Sequence, residues 1–182
     1  PFMSEMKETE AKRPIMPDAG ADNRPLVELT HVEKHYGDLH VLKDINLTVR
    51  KGEVLVIVGP SGAGKTTLLS ILGGMDTLTS GKVWLGDREV SAFHARQLAE
   101  YRRRDVGFVF QFYNLIPNLT ALENVELASQ IVKDPLPPAQ VLKEVGLGER
   151  MKNFPAQLSG GEQQRVAIAR AMLKNAPILI LD

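Results

Sequence analysis

A run of glycines followed by a lysine and a threonine has the residue types and spacing of a phosphate-binding loop. It fits G-x-x-x-x-G-K-[ST] through Gly59, Gly64, Lys65 and Thr66, between the apolar run 54–58 and a helical pattern. Glycines let successive backbone N–H groups converge on phosphate oxygens, and a helix beginning there points its positive end at the anion. Lys65 can reach the β- and γ-phosphates, and the Thr66 hydroxyl can bind Mg²⁺. The stretch predicts a nucleoside triphosphate site.

Composition limits the class of protein. The 182 residues allow one compact domain with a small subdomain, and Lys+Arg and Asp+Glu both number 22, which gives no sign of nucleic-acid binding. Arg102–Arg104 fall in the last turn of a predicted helix, where the dipole favours cations, so we interpret them as a solvated helix end. The absence of cysteine excludes disulfides and thiolate metal sites. With no apolar run of about 18 residues and no signal peptide, the simplest interpretation is a cytosolic protein.

Periodicity and turn residues predict alternating strands and helices. Residues 1–25, polar and rich in proline, are expected to form a disordered leader. Strands alternating with helices after the loop indicate an α/β domain with a mainly parallel sheet. The predicted strands are 26–35 and 41–50 as an antiparallel pair, 54–58 as a buried strand, 82–85, 106–110 and 177–181, and the helices after the loop helix are 92–104, 121–132, 138–145 and 165–174.

A second motif narrows the choice among the families of nucleotide-binding proteins. Leu158 to Gln164 reads LSGGEQQ, RVAIARA follows, and the apolar strand ILIL then ends at Asp182. Together with the loop, this order resembles the ATP-binding cassette (ABC) ATPases, over about residues 26–182. The resemblance implies a P-loop NTPase fold with an N-terminal antiparallel β subdomain and a helical subdomain at about 112–160.

The resemblance also assigns roles around ATP and Mg²⁺. Tyr36 matches the aromatic residue that stacks on adenine, although it could be an ordinary strand-end aromatic. Gln111 matches the glutamine that joins the Mg²⁺ shell and senses the permease; the alternative is a polar strand end. Asp182 matches the Walker B aspartate, which holds Mg²⁺ with Thr66. The phosphate-binding (Walker A) residues are Gly59, Pro60, Ser61, Gly62, Ala63, Gly64, Lys65, Thr66 and Thr67.

Ser159 and Gly161 match the family's signature motif. In that family the motif faces the γ-phosphate bound by the opposite subunit, so the resemblance implies a second ABC subunit, as a homodimer. A small hydroxyl and glycine N–H groups at a helix start suit an anion site. The residues implied to act in catalysis are Lys65, Gln111, Ser159, Gly161 and Asp182.

Two departures from the family pattern affect the expected activity. The glutamate that normally follows the Walker B aspartate and polarises the attacking water lies beyond Asp182, so we expect a C-terminally truncated chain that is an ATPase only as the full-length protein. Glu162 stands where glutamine is commoner, but it recurs in the subgroup that this chain resembles most.

That subgroup is suggested by 68–81 and 106–125, which look like the MacB/LolD-like cassettes of macrolide and lipoprotein exporters. It implies an FtsX- or MacB-like transmembrane permease as partner and a cytoplasmic, peripheral location on the inner face of the cell membrane. The alternatives are a non-transport ABC ATPase, ribosome-associated or in DNA repair, and an FtsE-like mechanosignalling cassette. The repair type carries cysteine zinc sites, which this chain cannot form.

Overall fold

The computed structural model describes residues 25–182 and begins with two long antiparallel strands, as predicted. The strands β1 (Pro25–Tyr36) and β2 (Leu39–Arg50) pair across a turn at Gly37-Asp38. The predicted leader lies outside the described residues except for Pro25, which begins β1.

The later elements follow the predicted order, with ends shifted by a few residues. The largest shift is in the last helix, which begins five positions earlier than its apolar pattern because a serine cap starts it. The elements are α1 (Lys65–Leu72), β3 (Ser80–Leu85), β4 (Arg88–Glu89), α2 (Ala95–Arg104), β5 (Val106–Val109), α3 (Ala121–Ser129), α4 (Pro138–Glu144), α5 (Gly160–Met172) and β6 (Ile178–Leu181).

The strands form two sheets. An antiparallel sheet has the order β2-β1-β3-β4, and β5 pairs with β6 in parallel, with Val109 opposite Leu181. Parallel strands need a long crossover, which α3, α4 and α5 supply here. Within residues 25–182 the parallel sheet has these two strands.

The predicted strand before the phosphate loop is wrong as a hydrogen-bonded strand. Residues 54–58 alternate like a strand, but no strand of the described chain pairs with them. Val54, Val56 and Val58 are therefore 59%, 68% and 72% exposed. The prediction that the last strand is buried is also wrong in part, since Leu179 and Leu181 are about half-exposed.

Two main hydrophobic cores hold the elements together. In the first core, α1 packs through Leu68 and Ile71 on the antiparallel sheet. In the second, α3 and α4 share apolar contacts with α5. The Asn124 side chain, 1% exposed, accepts from the N–H of Ile116 and donates to the carbonyls of Ile116, Leu119 and Thr120, so its buried amide is satisfied. A separate helical subdomain at 112–160 stays a prediction.

No helix within residues 25–182 combines the length and the apolar character that a membrane crossing requires.

Gly81 and Gly86 provide a matched test of how β3 approaches β1. Both have positive φ, +95° and +57°. A Cβ on Gly81 would lie 2.2 Å from the His31 carbonyl oxygen, whereas one on Gly86 meets nothing within 4 Å. Both alanine substitutions carry a left-handed backbone cost of about 1–2 kcal/mol. Gly81→Ala adds an overpacking cost of about 1–3 kcal/mol. Urea unfolding should show the larger loss of unfolding free energy for Gly81→Ala, and equal losses would contradict the close approach.

Candidate nucleotide-binding site

The predicted loop lies at the N-terminus of α1, as the motif requires. Gly62 and Gly64 have φ of +80° and +82°, and Gly64 is the N-cap of the helix. No side chain caps this end, and the first turn of α1 contains no acidic residue. The first N–H groups of α1 therefore keep their donor capacity for an anion.

The Lys65 side chain closes back over the loop. Its ammonium donates to the carbonyl oxygens of Gly59 at 2.9 Å and Pro60 at 2.8 Å. A phosphate held by the N–H groups of the loop would meet this cation on the same side, and phosphate is the stronger acceptor because it is charged. The loop residues thus fit the triphosphate of a nucleotide.

Thr66 and Asp182 meet although they are 116 residues apart. The Thr66 hydroxyl donates to Oδ1 of Asp182 at 2.9 Å. The backbone N–H of Asp182 donates to the carbonyl of Val109 at 3.0 Å, which extends the β5–β6 pairing by one residue. A hydroxyl beside a carboxylate is an oxygen donor set of the kind that Mg²⁺ takes, so these residues fit the ion.

Gln111 lies at the same edge of the parallel sheet but outside this contact. It follows the end of β5 by two residues, as Asp182 follows β6 by one, and parallel strands present their carboxyl ends at one edge. Its side chain is exposed and has no hydrogen-bond partner within the described part of the chain.

Tyr36 is anchored by its hydroxyl to the segment after α1. The hydroxyl donates to Asp76, and this hydrogen bond to the carboxylate raises the pKa of Tyr36. The ring is 49% exposed, which leaves surface on which a base could stack, and the Lys34 ammonium lies 4.6 Å from its centre.

Asp76 and Lys34 support Tyr36 and were missed by sequence reasoning. Lys34 is 6% exposed and donates to Asp76 at 2.7 Å and to the Thr77 carbonyl at 2.5 Å. Partial burial acts to raise the pKa of Asp76, but hydrogen bonds from Lys34 and Tyr36 hold it below its usual value. No motif marks the pair, since the partners are 42 residues apart.

Ser159 caps α5 and faces solvent. Its hydroxyl accepts from the Glu162 N–H at 3.3 Å, while the Glu162 carboxylate accepts from the Ser159 N–H and hydroxyl at 2.8 Å each. These hydrogen bonds lower the pKa of Glu162. Gly160 and Gly161 are also exposed. Within residues 25–182 no hydrogen bond connects Ser159 or Gly161 to the phosphate loop, so one chain does not join the two motifs in this way.

Arg170 is a third residue that the sequence did not single out. Its guanidinium donates to the carbonyls of Tyr113 and Asn114, both at 2.7 Å. Burial lowers the pKa of this group. The contact clamps the segment after Gln111 to α5, the helix that Ser159 begins. The one sequence signal for its role is its position in the apolar run AIARA, because a cation on the packed side of a helix needs hydrogen-bond acceptors.

A cleft of about 580 Å³ lies beside this clamp. Apolar side chains, among them Phe108, Phe110 and Ile131, line it together with several cations. The cations are Arg102, Arg103, Arg170 and Lys174. Phe112, in the neighbouring segment, is 79% exposed.

Comparisons with known proteins agree with the motifs. The family model described as ABC transporter matches residues 42–182. The lipoprotein-releasing system ATP-binding protein LolD of Shewanella frigidimarina (strain NCIMB 400) is 47% identical over 166 residues, 86% of this chain and 70% of that protein. The macrolide export ATP-binding/permease protein MacB of Marinobacter nauticus (strain ATCC 700491 / DSM 11845 / VT8) is 44% identical over 87% of this chain and 26% of its own length.

A solved structure extends the agreement to the fold. The dimeric structure of a post-hydrolysis state of the ATP-binding cassette MJ0796 bound to ADP and Pi is similar with a TM-score of 0.76 and 43% identity. The match covers 86% of this chain and 73% of that one. The predicted P-loop NTPase fold and the ABC resemblance are confirmed, and the chain belongs to the ABC transporter family of ATP-binding domains, with relatives of the LolD and MacB type.

Proposed function

We propose that this chain is the ATP-binding and ATP-hydrolysing subunit of an ABC transporter that powers a permease of the MacB or FtsX type. The observation that carries the proposal is the contact between the Thr66 hydroxyl and the Asp182 carboxylate beside the loop lysine. It brings the phosphate-binding and metal-binding motifs of the family to one place.

The binding chemistry rests on Lys65 and α1. The loop N–H groups orient the triphosphate, and the Lys65 ammonium leaves the carbonyls of Gly59 and Pro60 for the β- and γ-phosphates. Tyr36 stacks on the adenine, held in position by Asp76. Thr66, Gln111 and Asp182 hold Mg²⁺, which neutralises charge on the phosphates when bound.

The exposed signature motif serves a second copy of the chain. Ser159 and Gly161 stand at the solvent-facing N-terminus of α5, where a phosphate bound by a partner subunit would accept from their hydroxyl and N–H groups. The Ser159 hydroxyl would exchange its bond to Glu162 for one to that phosphate. The structural relative MJ0796 is described as a dimer, which supports a homodimer here.

The permease docks beside Gln111. The cleft and the exposed Phe112 offer an apolar surface with a cationic rim, next to the segment that Arg170 clamps to α5. A shift of that segment would pass through Arg170 to Ser159 at the start of the same helix. Through this partner the chain lies on the cytoplasmic face of the cell membrane. By likeness to the lipoprotein-releasing and macrolide-export relatives, the permease moves or extracts a substrate from the membrane or periplasmic side.

We expect the 182-residue chain, prepared alone, to bind ATP weakly and not to hydrolyse it. The glutamate that acts as general base in the family would stand one position after Asp182, so a polypeptide of residues 1–182 does not include it. A general base contributes about 10²–10⁴-fold to the reaction rate. Phosphate release should stay at the level of a Lys65→Ala variant. Turnover well above that variant would refute the expectation.

Lys65→Ala should weaken ATP binding by the full gene product about 10- to 100-fold. Charge-assisted hydrogen bonds contribute about 1.5–3 kcal/mol, which corresponds to that range. Titration with a fluorescent ATP analogue measures it. Lys51→Ala, at an exposed lysine in the turn before the loop, is the matched control and should bind like the unmodified protein. Equal ATP affinity of the two variants would show that Lys65 does not contribute to nucleotide binding.

Ser159→Arg should lower ATP turnover by the full gene product about 100-fold or more, since a bulky cation would block the phosphate of the opposite subunit. ATP binding by the monomer should change less than threefold, because the loop is built from other residues. Thr120→Arg is a close control, as Thr120 forms the same capping box with Glu123 on α3. It should keep its turnover. Loss of monomer binding in Ser159→Arg would contradict the opposite-subunit role.

A further inference from the structure

Three potential metal ligands lie together on the β1–β2 hairpin, and none of them takes part in the Thr66–Asp182 contact. Glu33, His35 and His40 each place one ligand atom within 4.8 Å of the others. None of the motifs discussed above includes these side chains.

The hairpin register brings the three together. Glu33 and His35 are two apart on β1 and so share a face, and His35 is directly opposite His40 on β2. The two imidazole rings stack with centres 3.9 Å apart and planes at 13°. His35 is exposed, and Glu33 and His40 are half-buried, so the cluster opens to solvent on one side.

The Glu33 carboxylate is anchored in this arrangement. One oxygen accepts from the Asp44 N–H at 3.0 Å, and the other contacts Nε2 of His40. Thr79 fixes the backbone, donating from its N–H to the Glu33 carbonyl at 2.8 Å and accepting from the His35 N–H at 2.9 Å. The cluster is therefore held by β1, β2 and the segment before β3.

The charge around the cluster suits a cation. The Glu33 carboxylate contributes a negatively charged ligand, and both of its oxygens are held by neighbours on β2. The Lys34 ammonium is turned away and bound to Asp76. The neighbouring His31 is paired with Asp44 at 2.6 Å, which adds a further carboxylate nearby.

We propose that Glu33, His35 and His40 bind one Zn²⁺ ion, with water as the fourth ligand. Two imidazoles and one carboxylate are a donor set that zinc takes in tetrahedral sites, whereas Mg²⁺ and Ca²⁺ prefer oxygen ligands. Ligand atoms around tetrahedral zinc are about 3.4 Å apart. The pairs that lie towards the 4.8 Å limit must therefore move closer, and the direct contact between Glu33 and His40 must open to admit the ion. Rotation of the exposed His35 ring supplies much of this movement.

The site has a consequence for the neighbouring strand end. His35 directly precedes Tyr36, and His40 lies just past the turn that joins the two strands. A bound ion would cross-link the hairpin on both sides of Gly37-Asp38 and stabilise it against fraying.

Calorimetric titration of the chain with ZnCl₂ tests the proposal, using protein prepared without a histidine tag. One equivalent of zinc should bind, and MgCl₂ should give no comparable heat. His35→Gln and His40→Gln should each weaken zinc binding about tenfold or more. His94→Gln is the matched control, an exposed histidine before α2, and should bind zinc within about twofold of the unmodified chain.

Histidine ring resonances of the unmodified chain give an independent readout. Zinc should shift or broaden the signals of His35 and His40 and leave that of His94 in place. The proposal is overturned if zinc fails to bind at one equivalent, if the His35 and His40 variants bind zinc like the control, or if zinc perturbs only His31 or His94.

Discussion

The hydrogen bond between the Thr66 hydroxyl and the Asp182 carboxylate is the contact on which the candidate nucleotide site depends. It joins the start of α1 to the end of β6 across 116 residues, so it forms only when β5, β6 and α1 are all in place. The β5–β6 pairing carries Asp182 to this point, and α1 packs on the antiparallel sheet to bring Thr66 there. In the proposed function, this contact places the Mg²⁺ ligands beside the phosphate loop.

A second constraint is that the phosphate loop and the signature motif lie on different parts of the chain. Lys65 and Thr66 belong to the body built on the antiparallel sheet, whereas Ser159 starts α5, which packs with α3 and α4. Arg170 connects α5 to the segment after Gln111 by hydrogen bonds to two backbone carbonyls. This segment borders the cleft where we propose that the permease docks, so under that proposal Arg170 would connect the docking surface to the helix that carries the signature motif.

The sequence predicted the parts of the site that have a local signature. The loop motif located Lys65 and Thr66, because that signal lies in consecutive residues. The pairing of Asp182 with Thr66, 116 residues away, was predicted from the resemblance to the ABC family. The sequence prediction failed at 54–58, where apolar alternation was right but no strand pairs with the segment, since a ladder is a property of two strands. Lys34, with a partner 42 residues away, was missed for the same reason: nothing local encodes it.

The central claim is that one nucleotide site is shared between two chains. Mixing the Lys65→Ala and Ser159→Arg variants of the full gene product and measuring ATP turnover tests it most directly. Each variant alone should be inactive. A mixed dimer carries one site with an intact loop and an intact signature motif, so a mixture should recover about a quarter of the unmodified turnover. A mixture as inactive as its components would contradict the account, because both motifs would then have to act within a single chain.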